Sequence, residues 1–197
     1  MKKLWIGVLV VVAVVVFGVT AVGRMYNRLV AADEQVSSAW GQVQNVYQRR
    51  LDLIPNLVET VKGYAAHEKT TLEDVVNARS KITQLNVSAD MASHPEALAQ
   101  FQQAQQQLSG ALSRLLVVVE NYPDLKANQN FLALQSQLEG TENRITVERM
   151  RFNEAAQQFN TLRRSFPATL IAGAWGFREK AYFKADEGAA KAPAVKF

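Results

Sequence analysis

The chain has 197 residues, a net charge of +4 and no cysteine. That length suits one domain with a proper core and is short for two, and the missing thiols exclude disulfides, thiolate metal sites and cysteine nucleophiles. The charge excess sits in residues 1–28, where Lys2, Lys3, Arg24 and Arg28 meet no acid; residues 29–162 carry 11 basic against 15 acidic groups, which argues against nucleic acid as a partner, and residues 163–197 carry 7 against 3.

Leu4 to Val22 is an uncharged run of 19 residues, LWIGVLVVVAVVVFGVTAV. A bilayer core of about 30 Å needs roughly 20 helical residues, and a helix satisfies its backbone groups without water. A secretory signal's apolar region is usually only about 7 to 15 residues, so residues 1–23 are expected to be a retained single-pass anchor, with cleavage at Val19-Thr20-Ala21 as the competing reading. Lys2 and Lys3 lie closest to the span and tip a nearly balanced charge pattern toward a cytoplasmic N-terminus at the inner membrane and a periplasmic body; a cytoplasmic body is the alternative.

Beyond the run, apolar residues recur at helical spacing with no strand-like alternation. Val36, Trp40, Val43 and Tyr47 mark a first helix from about Arg24 to Arg50. Asp52 reads as the N-cap of a second helix with Pro55 in its first turn and a stripe of Ile54, Leu57, Val58, Val61, Tyr64, Leu72, Val75, Val76 and Ile82; one helix kinked at Pro55 is the alternative. Asn86 to Ala92 reads as a loop, and Ser93-His94-Pro95-Glu96 as a capping box opening a third helix along Leu98, Phe101, Leu108, Leu112, Leu115 and Val119. After a break at Asn121-Tyr122-Pro123-Asp124, a seven-residue step through Phe131, Leu138, Ile145, Phe152, Phe159 and Phe166 predicts a long fourth helix ending before Pro167. The pattern predicts an all-α chain: an N-terminal transmembrane helix, then an antiparallel four-helix bundle over residues 24–166 with coiled-coil packing.

Polar residues on the apolar seams are expected to form an internal network that fixes helix register, because buried charge is costly unless paired. These are Glu68 and Arg79 on the second helix, and Glu142, Arg149, Asn153 and Asn160 on the fourth, at heptad intervals. Arg49 and Arg50 are read as caps of the first helix's last carbonyls. An up-down-up-down order returns residue 166 toward lipid. Residues 167–197 then read as an aromatic and basic membrane-proximal segment with a tail, and the interface candidates are Lys2, Lys3, Trp5, Arg24, Trp175, Phe177, Arg178, Lys180, Tyr182 and Phe183. The competing reading has the C-terminal side chains plugging the open end of the bundle.

RRLDLIPNLVETVKGYAAHE at Arg49–Glu68 and VVVENYPDLKANQNFLALQSQLEGTENRI at Val117–Ile145, followed by FNEAAQQFN, SFPATLIAG and AYF, resemble in order the motifs of the LemA family of bacterial membrane proteins. Phe152 stands where that resemblance leads one to expect tyrosine. The resemblance implies a single-pass anchor and a four-helix bundle, with no established enzymatic activity.

A direct search of the residues finds no complete catalytic, cofactor or metal constellation. His67-Glu68-Lys69-Thr70-Thr71 begins like HExxH but ends in threonine, and with only His67 and His94 neither histidine supplies a di-iron Glu-x-x-His motif. The expected role is therefore binding. The favoured form is a self-associating homo-oligomeric scaffold on the lipid bilayer, its glutamine clusters Gln102-Gln103 and Gln105-Gln106-Gln107 offering hydrogen-bonding faces; the alternative is an adaptor for envelope proteins such as a membrane protease or signalling complex.

Overall fold

The computed structural model describes residues 2–85 and 89–184, apart from the side chains of residues 2–4 and 89. Every regular element among the described residues is helical. α1 spans Lys2–Lys62, 61 residues without interruption, so it crosses both the 23/24 boundary and the expected break near Arg50. Asp52 caps nothing. The continuity has a local cause: Pro55 lacks the N–H that would bond the Leu51 carbonyl one turn earlier, and Arg79 Nε donates to that carbonyl at 3.0 Å. Arg79, expected in an ionic seam, thus completes the backbone bonding of a proline-containing helix. Arg79→Met is expected to destabilise the body by about 1–3 kcal/mol by leaving this carbonyl unpaired. In the Pro55→Ala background, where the N–H returns, denaturant unfolding should show much less loss.

At its far end α1 closes into a turn, with the Ala65 N–H bonded to the Val61 carbonyl at 2.8 Å and Ala65 fully buried. α2, Lys69–Gln84, starts only after this turn and buries Leu72, Val75, Ala78 and Ile82. The expected second helix is therefore divided, its first part belonging to α1. Glu68 loses its heptad relation to Val61 and stands at the N-cap position of α2. Residues 89–93 form a 3-10 turn and α3 follows at Pro95–Val119, with proline in the first turn as expected and His94 in place of Ser93 at the cap. Asn86 to Ser88, in the expected loop, lie outside the described residues.

α4, Pro123–Lys126, is a single turn, and Asn128 Oδ1 then accepts from the Phe131 N–H at 3.1 Å to cap α5, Gln129–Arg164. This 36-residue helix follows the seven-residue step: Phe131, Ile145, Phe152 and Phe159 are buried and Leu138 is half-buried. Phe166 departs from the stripe, because α5 stops two residues earlier and its ring is 80% exposed.

Contacts between helices set their directions. α1 and α5 run antiparallel, joined where Trp40 meets Phe152 and Arg50 meets Glu142. α2 and α3 are antiparallel through Asp74–Arg114 and Lys81–Gln107, and α3 runs parallel to α1 through Trp40–Phe101 and Arg50–Ser109. At the end away from the apolar run, the Tyr122 hydroxyl donates to Glu68 at 2.9 Å and Asn128 donates to the Tyr64 hydroxyl at 2.9 Å, tying the α1–α2 turn to the start of α5. Bonding to the Glu68 carboxylate raises the Tyr122 pKa above its ordinary value.

Candidate functional site

The densest polar constellation lies where the C-terminal segment meets α3 and α5. After α5 the chain makes a compact turn over residues 166–176, and Gly176, at φ +81°, takes the left-handed conformation that redirects it. Residues 177–184 then form a strap without helical structure that runs back along α5. Asn160 holds it at one point: its Nδ2 donates to the Lys180 carbonyl at 2.8 Å while its Oδ1 accepts from the Lys180 N–H at 2.9 Å. Asn153 does the same to Phe183, at 3.0 and 2.9 Å, and Gln102 of α3 to Lys184, at 2.8 and 3.2 Å. Seven helical residues rise about 10.5 Å, matching three extended residues at about 3.3 Å each, so asparagines one heptad apart grip residues three apart. A side-chain amide here supplies the donor and acceptor of a missing neighbouring strand.

Side chains reinforce the strap. Phe183 is buried against Trp40 at 6.1 Å and Phe152 at 5.4 Å, with the Arg149 guanidinium 5.0 Å over its ring and Arg149 donating to the Lys184 carbonyl at 2.8 Å. Lys180 is buried, its ammonium 2.6 Å from Asp33 Oδ1 and 3.0 Å from Ser93 Oγ, over the Phe159 ring at 5.2 Å. That occupation explains why Ser93 caps no helix.

The expected interface set therefore divides. Phe183 packs beside Trp40, which lies 18 residues beyond Val22, about 27 Å along α1, and Lys180 pairs with Asp33 about 16 Å along it. Both distances exceed the headgroup layer of a bilayer whose full thickness is about 40–45 Å. Lys180, Tyr182 and Phe183 belong to the body, with the Tyr182 hydroxyl accepting from Asn160 at 2.9 Å. Trp175 and Phe177 stay close to the apolar run, their rings 5.1 and 5.9 Å from Tyr26. Arg24 and Arg178 are exposed and Trp5 projects outward from the run, whereas the side chains of Lys2 and Lys3 lie outside the described residues, as do residues 185–197 of the expected tail.

The expected seam network divides, with Arg149, Asn153 and Asn160 together on the strap and Glu68, Arg79 and Glu142 elsewhere. Glu142 pairs with Arg50 at 3.3 Å, but its carboxylate is 52% exposed while Arg50 is buried on the floor of a cleft of about 250 Å³ beside Leu57, Leu112 and Leu138. Arg50 also donates to Ser109 Oγ at 2.6 Å. It caps no carbonyls, because α1 continues beyond it. Burial lowers the Arg50 pKa from its ordinary value, and Glu142, then Tyr47, oppose that shift. Glu142→Ala is expected to cost about 1–2 kcal/mol, less than a fully buried pair because the carboxylate is half in water. Adding Arg50→Met should recover most of the loss in a denaturant melt.

Asn153 and Asn160 lie on the expected seam, whereas Gln102 comes from a glutamine cluster expected on an outer face; three residues on, Gln105 is buried. His67 is exposed and His94 Nδ1 lies 3.0 Å from the Asp90 carbonyl, and among the described residues no group of three or more His, Cys, Asp or Glu side chains could hold a metal ion.

An all-helical body on a helix whose first part is apolar and long enough to cross a membrane, with side-chain amides gripping its own C-terminal segment, defines a membrane-associated helical protein. Residues 39–197 match the sequence model of the LemA family, and the chain belongs to that family. It is 27% identical over 172 residues to Protein LemA of Metamycoplasma hominis, covering 87% of this chain and 74% of that protein. Magnetosome protein MamQ 2 of Paramagnetospirillum magneticum is 26% identical over 193 residues, covering 90% and 71%, and magnetosome protein MamQ of Magnetospirillum gryphiswaldense is 25% identical over 189, covering 88% and 69%.

Proposed function

We propose that the protein is a non-enzymatic, self-associating scaffold, held at the bacterial inner membrane by a retained N-terminal anchor with its body in the periplasm. The observation that carries this reading is the outer side of α5, where Leu132, Val147 and Met150 are exposed. Steps of 15 and 3 residues at about 100° each put them within about 60° of one another around the helix. The unbroken α1 supports it too: about 60 Å of helix beyond Val22 presents this face sideways from one membrane plane. Confinement to that plane raises the effective concentration of weakly complementary faces. The names of the magnetosome relatives favour a part in a cellular structure.

The full-length chain in mild detergent should run as a discrete homo-oligomer, and Val147→Glu with Met150→Glu should shift it toward monomer while leaving its helical content intact. A strictly monomeric mass across micromolar concentrations would overturn the scaffold in favour of an adaptor for other envelope proteins.

A further inference from the structure

We infer that the turn of residues 166–176 is a second membrane contact, with Phe166 and Leu170 seated in the bilayer that holds α1. This rests on the anchor reading above and adds a site to it. The two side chains are 80% and 70% exposed, while Ala168 and Ala172 of the same turn are buried against the body, so the turn presents one apolar side inward and another outward. Its depth is set by Tyr26, four residues past Val22 and thus about 6 Å along α1, whose ring meets Trp175 at 5.1 Å and Phe177 at 5.9 Å.

The backbone suits such a place. Thr169 N–H bonds the Ser165 carbonyl at 2.9 Å, Leu170 that of Pro167 at 3.1 Å, Ala172 that of Ala168 at 2.8 Å and Phe177 that of Ala172 at 3.0 Å. Closed on itself in this way, the turn carries few unpaired polar groups into the interface. Arg164 and Arg178 border it along the chain and Arg24 and Arg28 stand on α1 two residues either side of Tyr26, all four exposed, while the Glu179 carboxylate lies 4.0 Å from Arg163. Aromatic rings, two projecting apolar side chains and a cationic border match the boundary between acyl chains and anionic headgroups. Two attachments, the anchor and this turn, would hold the body at one tilt to the membrane.

The chain's lack of cysteine allows a direct test. Single substitutions Phe166→Cys, Leu170→Cys, Val14→Cys and Asn121→Cys are spin-labelled in the full-length protein, which is reconstituted into vesicles of mixed anionic and zwitterionic phospholipid. Collision with oxygen and with a water-soluble nickel chelate is then compared. Positions 166 and 170 should resemble 14 in favouring oxygen over nickel severalfold more than 121 does. Nickel-accessible labels at 166 and 170, with 14 in lipid, overturn the inference alone. Immobilised labels shielded from both reagents overturn it in favour of contact with another protein copy. A nickel-accessible label at 14 overturns the anchor reading and this one together.

Discussion

Asn160→Leu is expected to release the C-terminal strap while leaving most of the helical body folded. The substitution keeps the side chain's branched shape but removes both partners of the Lys180 peptide unit and the bond to the Tyr182 hydroxyl, at a position with no solvent exposure. Two buried backbone groups left unpaired cost about 2–5 kcal/mol together. That loss falls on a segment of eight residues held chiefly by such bonds, so it should appear as local opening before global unfolding. Hydrogen exchange of the detergent-solubilised full chain should show amides of residues 177–184 losing protection while those of α1 and α5 around Trp40 and Phe152 keep theirs. Unchanged protection at Lys180 would show that the asparagine is not what holds the strap.

Trp40→Ala is expected to act differently, destabilising strap and body in a single transition by about 3–5 kcal/mol. The Trp40 ring meets Phe101 of α3 at 5.7 Å, Phe152 of α5 at 5.7 Å and Phe183 of the strap at 6.1 Å, so its removal opens a cavity shared by four segments. Neighbours from so many elements cannot collapse inward together without breaking the helix contacts that position them. Helical signal and strap protection should fall at the same denaturant concentration, unlike the staged loss in Asn160→Leu. A cost below about 1 kcal/mol would mean the cavity refills and that Trp40 does not join the segments.

By itself the sequence determined what depends on short-range periodicity. The uncharged run from Leu4 to Val22 dictates a membrane-length helix, and the seven-residue step through Phe131, Ile145, Phe152 and Phe159 dictates the length and inward face of α5, because one residue in each two turns returns to the same side. Pro95 and Pro123 open helices for a reason equally local, their missing N–H being no loss in a first turn. Only the tertiary structure decided what depends on a partner distant in the chain. Pro55 reads as a helix start unless Arg79, 24 residues later, supplies the donor that its own ring lacks. Arg50 reads as a cap until Glu142 and Ser109 are brought to it by neighbouring helices. Lys180 and Phe183 carry the composition of a membrane interface, and a partly buried carboxylate and an aromatic cavity in the body satisfy that same composition. Asn153 and Asn160 were legible as seam residues from their heptad spacing, but nothing in that spacing says whether an amide faces another side chain or a peptide. The choice was made by the return of residues 177–184 along α5, whose unpaired backbone needs the donor and acceptor that each asparagine places side by side.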